Sequence, residues 1–229
     1  MARPTDSELR QQVIHYAKQL TQTGLAIGTA GNVSVRTSDF ECLITPTGVS
    51  YDLLQPADIC QVNFQPDHRT EGLSNAQSSD SNLRKPSSET PMHTRIYLAR
   101  ADVGAVVHTH SLYATAFAVA GRPILPVHYV IATMGDEIPV VPYYVYGSME
   151  LADAVGEAVR HSNGLLLQNH GVMAVGRDLQ EAFYHAQTIE YLAQLMYTAE
   201  ALGEPKLLTQ GQINEVRLRF RGYGQQQNS

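Results

Sequence analysis

The chain has 229 residues and a formal net charge of −6 at pH 7, and 43% of its residues are hydrophobic and 17% charged. These values are typical of a globular protein with a full hydrophobic core. The acidic balance provides no basic stripe that could neutralise the phosphates of a polynucleotide, so it argues against a nucleic-acid-binding protein.

The cysteine content and the N-terminal pattern are typical of a cytoplasmic protein. Cys42 and Cys60 are the only cysteines and form no Cys-x-x-Cys pair, so neither a disulfide framework nor a thiolate zinc site is expected. The N-terminal residues lead straight into a polar helical pattern without an apolar signal core, and no stretch approaches the length of a membrane span. We therefore expect a cytoplasmic protein that binds neither membranes nor nucleic acids.

The first third of the chain predicts a helix followed by short strands. Thr5 and Glu8 have the spacing of a capping box, apolar residues follow at helical intervals, and Gly24 is a suitable end for the helix. The next predicted features are a glycine-rich stretch, two strands and a turn, at residues 28–32, 33–36, 43–44 and 45–48. A segment near residues 65–87, rich in Ser, Asn, Gln and Pro, predicts a long mobile loop.

The rest of the chain alternates apolar strand-like runs with helical patterns. Helices are predicted from about residue 88 and at residues 111–120, 148–161 and 178–202. Strands are predicted at residues 104–108, 127–131, 140–146, 165–168 and 172–175. Because several of these strands follow one another without a helix between them, we expect an α/β fold with a largely antiparallel central sheet. No internal repeat or linker is visible, so residues 1–229 are expected to form one domain.

Three histidines suggest a metal site. His108 and His110 are two residues apart at the end of an apolar run, so their side chains point to the same side of an extended segment. His170 ends another apolar run, and Gly171 after it allows a tight turn that can direct the imidazole inwards. Three neutral nitrogens with one open position are typical of a catalytic zinc ion. The alternative is that all three are hydrogen-bonded core or surface histidines.

The remaining histidines carry weaker signals. His93 and His128 are candidates for a supporting role beside the metal ligands. Four others lie in helix or loop contexts and are interpreted as structural or solvated: His15, His68, His161 and His185.

Three short segments predict a binding site for an anion. Gly31-Asn32, Thr47-Gly48 and Ser87-Ser88 each combine unobstructed backbone N–H groups with a hydroxyl or amide donor. If they converge, they can bind a phosphate without Lys or Arg, although each alone is also an ordinary turn. Glu89 follows directly, and a carboxylate between a phosphate and a zinc ion can act as a general base. Its alternative is a first-turn glutamate that stabilises a helix dipole.

These motifs occur together in a known order. Residues 28–36, 44–48, 87–89, 108–110 and 169–171 read Gly-Thr-Ala-Gly-Asn-Val-Ser-Val-Arg, Ile-Thr-Pro-Thr-Gly, Ser-Ser-Glu, His-Thr-His and Asn-His-Gly. As an ordered set that spans nearly the whole chain, they resemble the class II aldolase/adducin family.

The resemblance implies a fold, an assembly and a reaction. The fold is a three-layer α/β/α sandwich with a largely antiparallel central sheet, and the assembly is a homotetramer with active sites between neighbouring subunits. The reaction is zinc-dependent cleavage of a ketose 1-phosphate, such as L-fuculose 1-phosphate, into dihydroxyacetone phosphate and a small aldehyde such as lactaldehyde.

The resemblance also assigns a role to each motif residue. It implies one Zn²⁺ per chain on His108, His110 and His170. It implies phosphate binding by Gly31, Asn32, Thr47, Gly48, Ser87 and Ser88. Glu89 is the implied acid/base and can also touch the metal, Tyr129 is the tyrosine lent across a subunit boundary to protonate the aldehyde oxygen, and Tyr146 and Tyr223 shape the aldehyde end.

Three alternatives stay open. A pentulose-phosphate 4-epimerase of the same family generally has Asp where this chain has Glu89, and it has a second acid after the His-x-His strand that is not found at residues 127–131. A sugar-phosphate dehydratase of the methylthioribulose-phosphate type is less firmly excluded. A non-catalytic module of the adducin kind has no need for the intact histidines and Glu89.

Overall fold

Seven strands form one sheet in the computed structural model, which describes residues 4–65 and 84–222. The strands are β1 (Asn32–Ser38), β2 (Glu41–Ile44), β3 (Cys60–Asn63), β4 (Ala105–Thr109), β5 (Val140–Val141), β6 (Gly164–Leu167) and β7 (Gly171–Gly176). The helices in these residues are α1 (Asp6–Gln22), α2 (Thr90–Ala99), α3 (Leu112–Val119), α4 (Met149–Ala158), α5 (Leu179–Leu202) and α6 (Gln210–Phe220).

The strand order is β3-β2-β1-β4-β7-β6-β5, and every neighbouring pair is antiparallel except β5 and β6. One hydrophobic cluster joins the sheet to α1, α3 and α5, and a second joins it to α2 and α4. Two cores on opposite faces of one sheet make a three-layer α/β/α sandwich. The predicted fold class is therefore confirmed.

Alternation along the central strands separates the two cores. In β4, Ala105 and Val107 belong to the first cluster and Val106 to the second. In β7, Val172 and Ala174 belong to the first cluster, whereas Met173 and Val175 belong to the second. This period of two follows from the pleat of a strand, and it places the even-numbered side chains of β4 on the α2 face.

Two predicted strands are wrong in type or extent. Residues 127–131 do not form a strand, because a 3₁₀ helix spans Tyr129–Thr133 and His128 caps it by accepting a hydrogen bond from the Val130 N–H. Residues 140–146 pair with β6 only at Val140–Val141. Pro142 lacks an N–H and ends this pairing, so the β-branched and aromatic residues after it are exposed.

Two elements were not predicted. Strand β3 extends the edge of the sheet, and α6 begins with a capping box between Thr209 and Gln212, a spacing visible in the sequence. Of the loop predicted near residues 65–87, residues 66–83 lie outside the described part of the chain. Among the described helices, none is long and apolar enough to cross a membrane.

Candidate metal site and anion cleft

The central strands bring the three candidate ligands together. His108 lies near the end of β4, and His110 follows that strand on the same side. His170 lies in the turn between β6 and β7, which pairs with β4. That turn requires a left-handed residue, and Asn169 provides it with a φ of 54°. Asparagine tolerates this conformation better than most residues do.

Gly171 is required by the close approach of two strands at this turn. A Cβ atom on Gly171 would lie 2.4 Å from the Thr109 carbonyl oxygen and 2.8 Å from Cδ2 of His110. Only glycine leaves room for the His110 ring. The sequence-based reason for Gly171, a tight turn, is therefore incomplete, because Gly171 does not have a positive φ and its role is steric.

The ligand atoms converge on one point. Nε2 of His108 lies 2.8 Å from Nε2 of His110 and 3.1 Å from Oε2 of Glu89. Nε2 of His170 lies 2.8 Å from Oε1 of Glu89. Each of the four residues offers one ligand atom, and these four atoms all lie within 4.8 Å of one another. The described chain thus contains a metal-binding group of three histidines and one glutamate.

The hydrogen bonds of His108 show that this group fits a cation. Nδ1 of His108 lies 2.8 Å from the Val172 carbonyl oxygen, which can only accept, so Nδ1 carries the proton. To donate to the Glu89 carboxylate as well, Nε2 must carry a second proton. Burial disfavours this charged ring, but attraction to Glu89 and hydrogen bonds to Glu89 and the Val172 carbonyl outweigh burial and raise the pKa of His108. A metal ion can take the place of that proton, and a backbone carbonyl on the other ring nitrogen is the usual way to orient a metal-binding histidine.

Electrostatics within the group shift its pKa values. Burial disfavours the charged form of Glu89, but attraction to His108 and hydrogen bonds from His108 and His170 outweigh it and hold the pKa of Glu89 well below its usual range. Burial, followed by repulsion from His108 and His170, lowers the pKa of His110 to about 4. Glu89 is therefore ionised and His110 neutral near pH 7, which are the protonation states that metal ligation needs.

Glu89 reaches the group because it precedes a helix. It is the N-terminal capping residue of α2, yet its side chain makes no capping hydrogen bond. The carboxylate instead faces the histidines and accepts a hydrogen bond from the Asn32 side chain at 2.9 Å. The simple helix-dipole interpretation of Glu89 does not account for this orientation.

The three predicted anion-binding segments line one cleft beside the histidines. The cleft has a volume of about 330 Å³. Its lining includes Gly31, Asn32, Thr47, Gly48, Ser87 and Ser88, together with Glu89, His110 and His170. None of the described residues that line it is Lys or Arg. The structure thus brings together all six residues predicted for phosphate binding.

Backbone pairing fixes which donors in the cleft are free. The Thr47 N–H donates to the Lys85 carbonyl, and the Ser87 N–H donates to the Thr45 carbonyl. Within residues 4–65 and 84–222, the N–H groups of Gly48 and Ser88 donate to no backbone carbonyl. These two amides and the neighbouring hydroxyls are therefore available to an anion in the cleft.

The predicted tyrosines fall into three situations. Tyr146 lines the cleft, whereas Tyr223 lies outside the described residues. Tyr129 is half-exposed next to His128 and Phe220 and does not line the cleft of its own chain. Sequence reasoning missed Tyr143 and Tyr144, which line the cleft with Tyr146. The run of aromatic residues after Pro142 was the available signal.

The other histidines lie away from the three ligands, with one exception. His15 and His161 are exposed, and His185 is buried and bonded to the Val175 carbonyl. His128 caps the 3₁₀ helix, and His68 lies outside the described residues. His93 is the exception, because it is fully buried and bonds to Asn32 next to Glu89.

The fold and this site define an α/β/α protein in which a group of four potential metal ligands borders a cleft lined by the predicted anion-binding residues. A sequence profile described as the Class II Aldolase and Adducin N-terminal domain matches residues 11–197. The chain therefore belongs to the class II aldolase and adducin family, as the ordered motifs indicated.

Individual relatives place the chain among the aldolases, which are carbon–carbon lyases. It is 36% identical over 218 residues to a 5-deoxy-D-ribulose 1-phosphate aldolase of Bacillus thuringiensis serovar kurstaki, covering 95% of this chain and 97% of that protein. It is 38% identical over 220 residues to an L-fuculose phosphate aldolase of Escherichia coli O6:H1, covering 95% and 96%. A solved structure of an L-fuculose 1-phosphate aldolase superposes with a TM-score of 0.83 at 33% identity, covering 96% of this chain and 98% of that chain.

Substitution of Gly171 tests the steric argument. We expect Gly171→Ala to lower the free energy of unfolding by about 1–3 kcal/mol, because the new methyl group must displace Thr109 or His110. Metal affinity is expected to fall as well, since the His110 ring is displaced. Gly211→Ala is the matched control, because its Cβ would meet nothing closer than 3.9 Å. Thermal denaturation and competition with a metal chelator measure both effects, and equal behaviour of the two variants would contradict the argument.

Proposed function

We propose that this protein is a zinc-dependent aldolase that cleaves a ketose 1-phosphate, of the L-fuculose 1-phosphate kind, into dihydroxyacetone phosphate and a small aldehyde. The observation that carries the proposal is the position of Glu89. Its buried carboxylate contacts the imidazoles of His108 and His170, is grouped with that of His110, and borders a cleft whose described lining contains no Lys or Arg. This position supports the role of Glu89 as an acid/base between the proposed metal ion and the proposed phosphate site, as the cleavage of a phosphorylated ketose requires.

The proposed metal ligands are His108, His110 and His170. When bound, zinc supplies a Lewis acid that stabilises the negative charge developing on the substrate's carbonyl oxygen as the carbon–carbon bond breaks. In cleavage the substrate hydroxyl that becomes the aldehyde oxygen gives up its proton, and Glu89 takes up a proton from solvent and delivers it to the carbon that the departing aldehyde leaves behind. One proton is thus lost and one gained as dihydroxyacetone phosphate forms. In the direction of synthesis Glu89 removes the same proton.

The phosphate group orients the substrate for this proton transfer. We assign it to six residues that line one cleft: Gly31, Asn32, Thr47, Gly48, Ser87 and Ser88. Fixing the phosphate keeps the reacting carbon within reach of Glu89, and such positioning contributes to the rate by itself. The absence of Lys and Arg among the described lining residues favours backbone recognition of the anion.

The aldehyde end is assigned to aromatic residues. Tyr146 borders the cleft, together with Tyr143 and Tyr144. Tyr129 lies outside the cleft of its own chain, so its proposed role requires a neighbouring subunit. In the synthesis direction Tyr129 of that subunit would protonate the aldehyde oxygen. The proposal therefore includes a homotetramer with active sites between subunits, and Tyr223 from the C-terminal segment is assigned to the same end.

A second substrate of the same reaction class is favoured by one observation. The Bacillus thuringiensis relative is named for 5-deoxy-D-ribulose 1-phosphate, and its identity to this chain is within two percentage points of that of the L-fuculose phosphate aldolase. Both names imply the same three-carbon phosphate product with a different aldehyde. The two substrates differ in their aldehyde portions, so the end of the cleft that we assign to the tyrosines would choose between them.

The proposal also places the enzyme in the cytoplasm. Cys42 is buried and Cys60 half-buried, and both are free thiols on neighbouring strands. Burial raises the pKa of the Cys60 thiol to about 11, so this thiol stays protonated near pH 7. A reducing compartment preserves such thiols.

A coupled assay for dihydroxyacetone phosphate tests the reaction and the metal together. We expect release from L-fuculose 1-phosphate, loss of release after chelation, and recovery when zinc is restored. 5-Deoxy-D-ribulose 1-phosphate in a parallel assay ranks the two aldehydes. Absence of dihydroxyacetone phosphate from either substrate by a protein that holds one zinc per chain would reject the aldolase and favour the epimerase or dehydratase alternative. Absence of zinc binding would favour the non-catalytic module.

Substitution of Glu89 separates catalysis from metal binding. We expect Glu89→Gln to retain zinc on the three histidines and to lower kcat about 10²- to 10⁴-fold, the range typical of a lost acid/base group. Zinc content by atomic absorption and kcat are measured on the same preparation. Glu157→Gln on the surface of α4 is the control, since this glutamate is exposed. Unchanged kcat in Glu89→Gln would remove Glu89 from the mechanism.

A further inference from the structure

A row of buried polar side chains continues behind Glu89, between α2 and β1. The α2 side contributes Glu89, His93 and Tyr97, and the β1 side contributes Asn32 and Ser34. All five are at most 8% exposed. Buried polar groups are stable only when they are hydrogen-bonded, so this row must form a connected network.

Two periodicities allow the helix and the strand to interlock. Glu89, His93 and Tyr97 are four residues apart and share one face of the helix, advancing about 6 Å per step. Asn32 and Ser34 are two residues apart on one face of the strand, advancing about 6.7 Å. Because these steps nearly match, each strand side chain fits between two helix side chains.

The contacts alternate between helix and strand. The Tyr97 hydroxyl lies 2.7 Å from the Ser34 hydroxyl, and the Ser34 hydroxyl lies 2.7 Å from Nδ1 of His93. Nε2 of His93 lies 2.5 Å from Oδ1 of Asn32, and Nδ2 of Asn32 lies 2.9 Å from Oε2 of Glu89. These four hydrogen bonds connect Tyr97 to the proposed acid/base.

The charge of Glu89 fixes the direction of every bond in the row. An ionised carboxylate can only accept, so the Asn32 amide must turn its NH₂ group towards Glu89. Its oxygen then faces His93, which must donate from Nε2. Neutral His93 consequently accepts at Nδ1 from the Ser34 hydroxyl, which in turn accepts from the Tyr97 hydroxyl. Only one tautomer of His93, with the proton on Nε2, satisfies this order.

The surroundings keep the His93 ring neutral. Its side chain is fully buried, and burial, assisted by repulsion from His108 and opposed by attraction to Glu89, lowers the pKa of His93 to about 3. A neutral imidazole has one donor and one acceptor, the two functions that the row requires. Near pH 7 the His93 ring therefore stays neutral, and the donor and acceptor roles along the row do not change.

We propose that His93 is a positioning residue that acts through Asn32 on Glu89. The Nε2–H donor of His93 holds the Asn32 amide so that its NH₂ group faces the Glu89 carboxylate. Without it the amide can flip by half a turn and present its oxygen to Glu89, which repels the carboxylate. Part of this inference rests on the proposed function, because it names what the acid/base of that reaction requires.

Two isosteric variants separate positioning from packing. In His93→Gln the amide nitrogen reaches the place of Nε2 and can still donate to Asn32. In His93→Asn the same amide group reaches only the place of Nδ1 and cannot. We expect His93→Gln to keep kcat within about threefold, and His93→Asn to lose about 10- to 100-fold in kcat with KM little changed, the range found when a supporting hydrogen bond near a metal site is removed.

Melting temperature and zinc content are measured on both variants, because a residue that acts only through packing would change these two quantities. Both variants remove part of a buried ring, so similar melting temperatures and full zinc occupancy are expected of both. Equal losses of kcat in the two variants, in proportion to their stability, would overturn the proposal. Rescue of kcat by Gln but not by Asn supports it.

The tautomer of His93 can be observed without substrate. NMR of the intact zinc-loaded protein with ¹⁵N-labelled histidine identifies the protonated nitrogen, and loss of its signals in His93→Gln assigns the ring. We expect the proton on Nε2 throughout the range of about pH 6 to pH 9. A proton on Nδ1, or a ring that titrates in this range, would overturn the proposal even if the chain proves not to be an aldolase. Correct tautomer without aldolase activity would reject the proposed function alone.

Discussion

Burial of the Glu89 carboxylate is the constraint on which the arrangement of this site depends. A buried charge is tolerated only when it is paired and hydrogen-bonded. Glu89 meets this condition through His108, His170 and Asn32, which come from β4, the β6–β7 turn and β1. Strand order β1-β4-β7 places these three elements side by side, and α2 carries Glu89 above them. The central sheet therefore acts as the frame that makes the burial of one carboxylate possible.

The negative charge of Glu89 also constrains how a phosphate can bind in the neighbouring cleft. A phosphate beside an ionised glutamate is unfavourable in a cleft whose described lining has no Lys or Arg. In the proposed enzyme, a divalent ion held by three neutral imidazoles would supply positive charge between them without a basic side chain. Backbone N–H groups at Gly48 and Ser88, which donate to no backbone carbonyl in the described residues, would then need only to orient the phosphate. In the proposed reaction the metal compensates charge and the backbone N–H groups orient the phosphate, so Glu89 is available to transfer protons.

Much of this site could be predicted from short sequence patterns. The i, i+2 spacing of His108 and His110 and the turn at His170 indicated the cluster, because strand geometry is regular. The aromatic residues after Pro142 were misassigned, since β-branched and aromatic composition favours a strand but cannot show where pairing stops. The partnership of His93 with Asn32 was invisible as a contact, although the four-residue spacing from Glu89 to His93 was present. Pairing of α2 with β1 is a long-range event that neither segment encodes alone.

The position of the metal tests the central claim most directly. Crystals of the zinc-loaded protein, measured at the zinc absorption edge, would show the ion by its anomalous scattering. We expect one strong peak per chain, within bonding distance of Nε2 of His108, His110 and His170. A peak held by other residues, or no peak among these nitrogens in crystals that contain zinc, would contradict it.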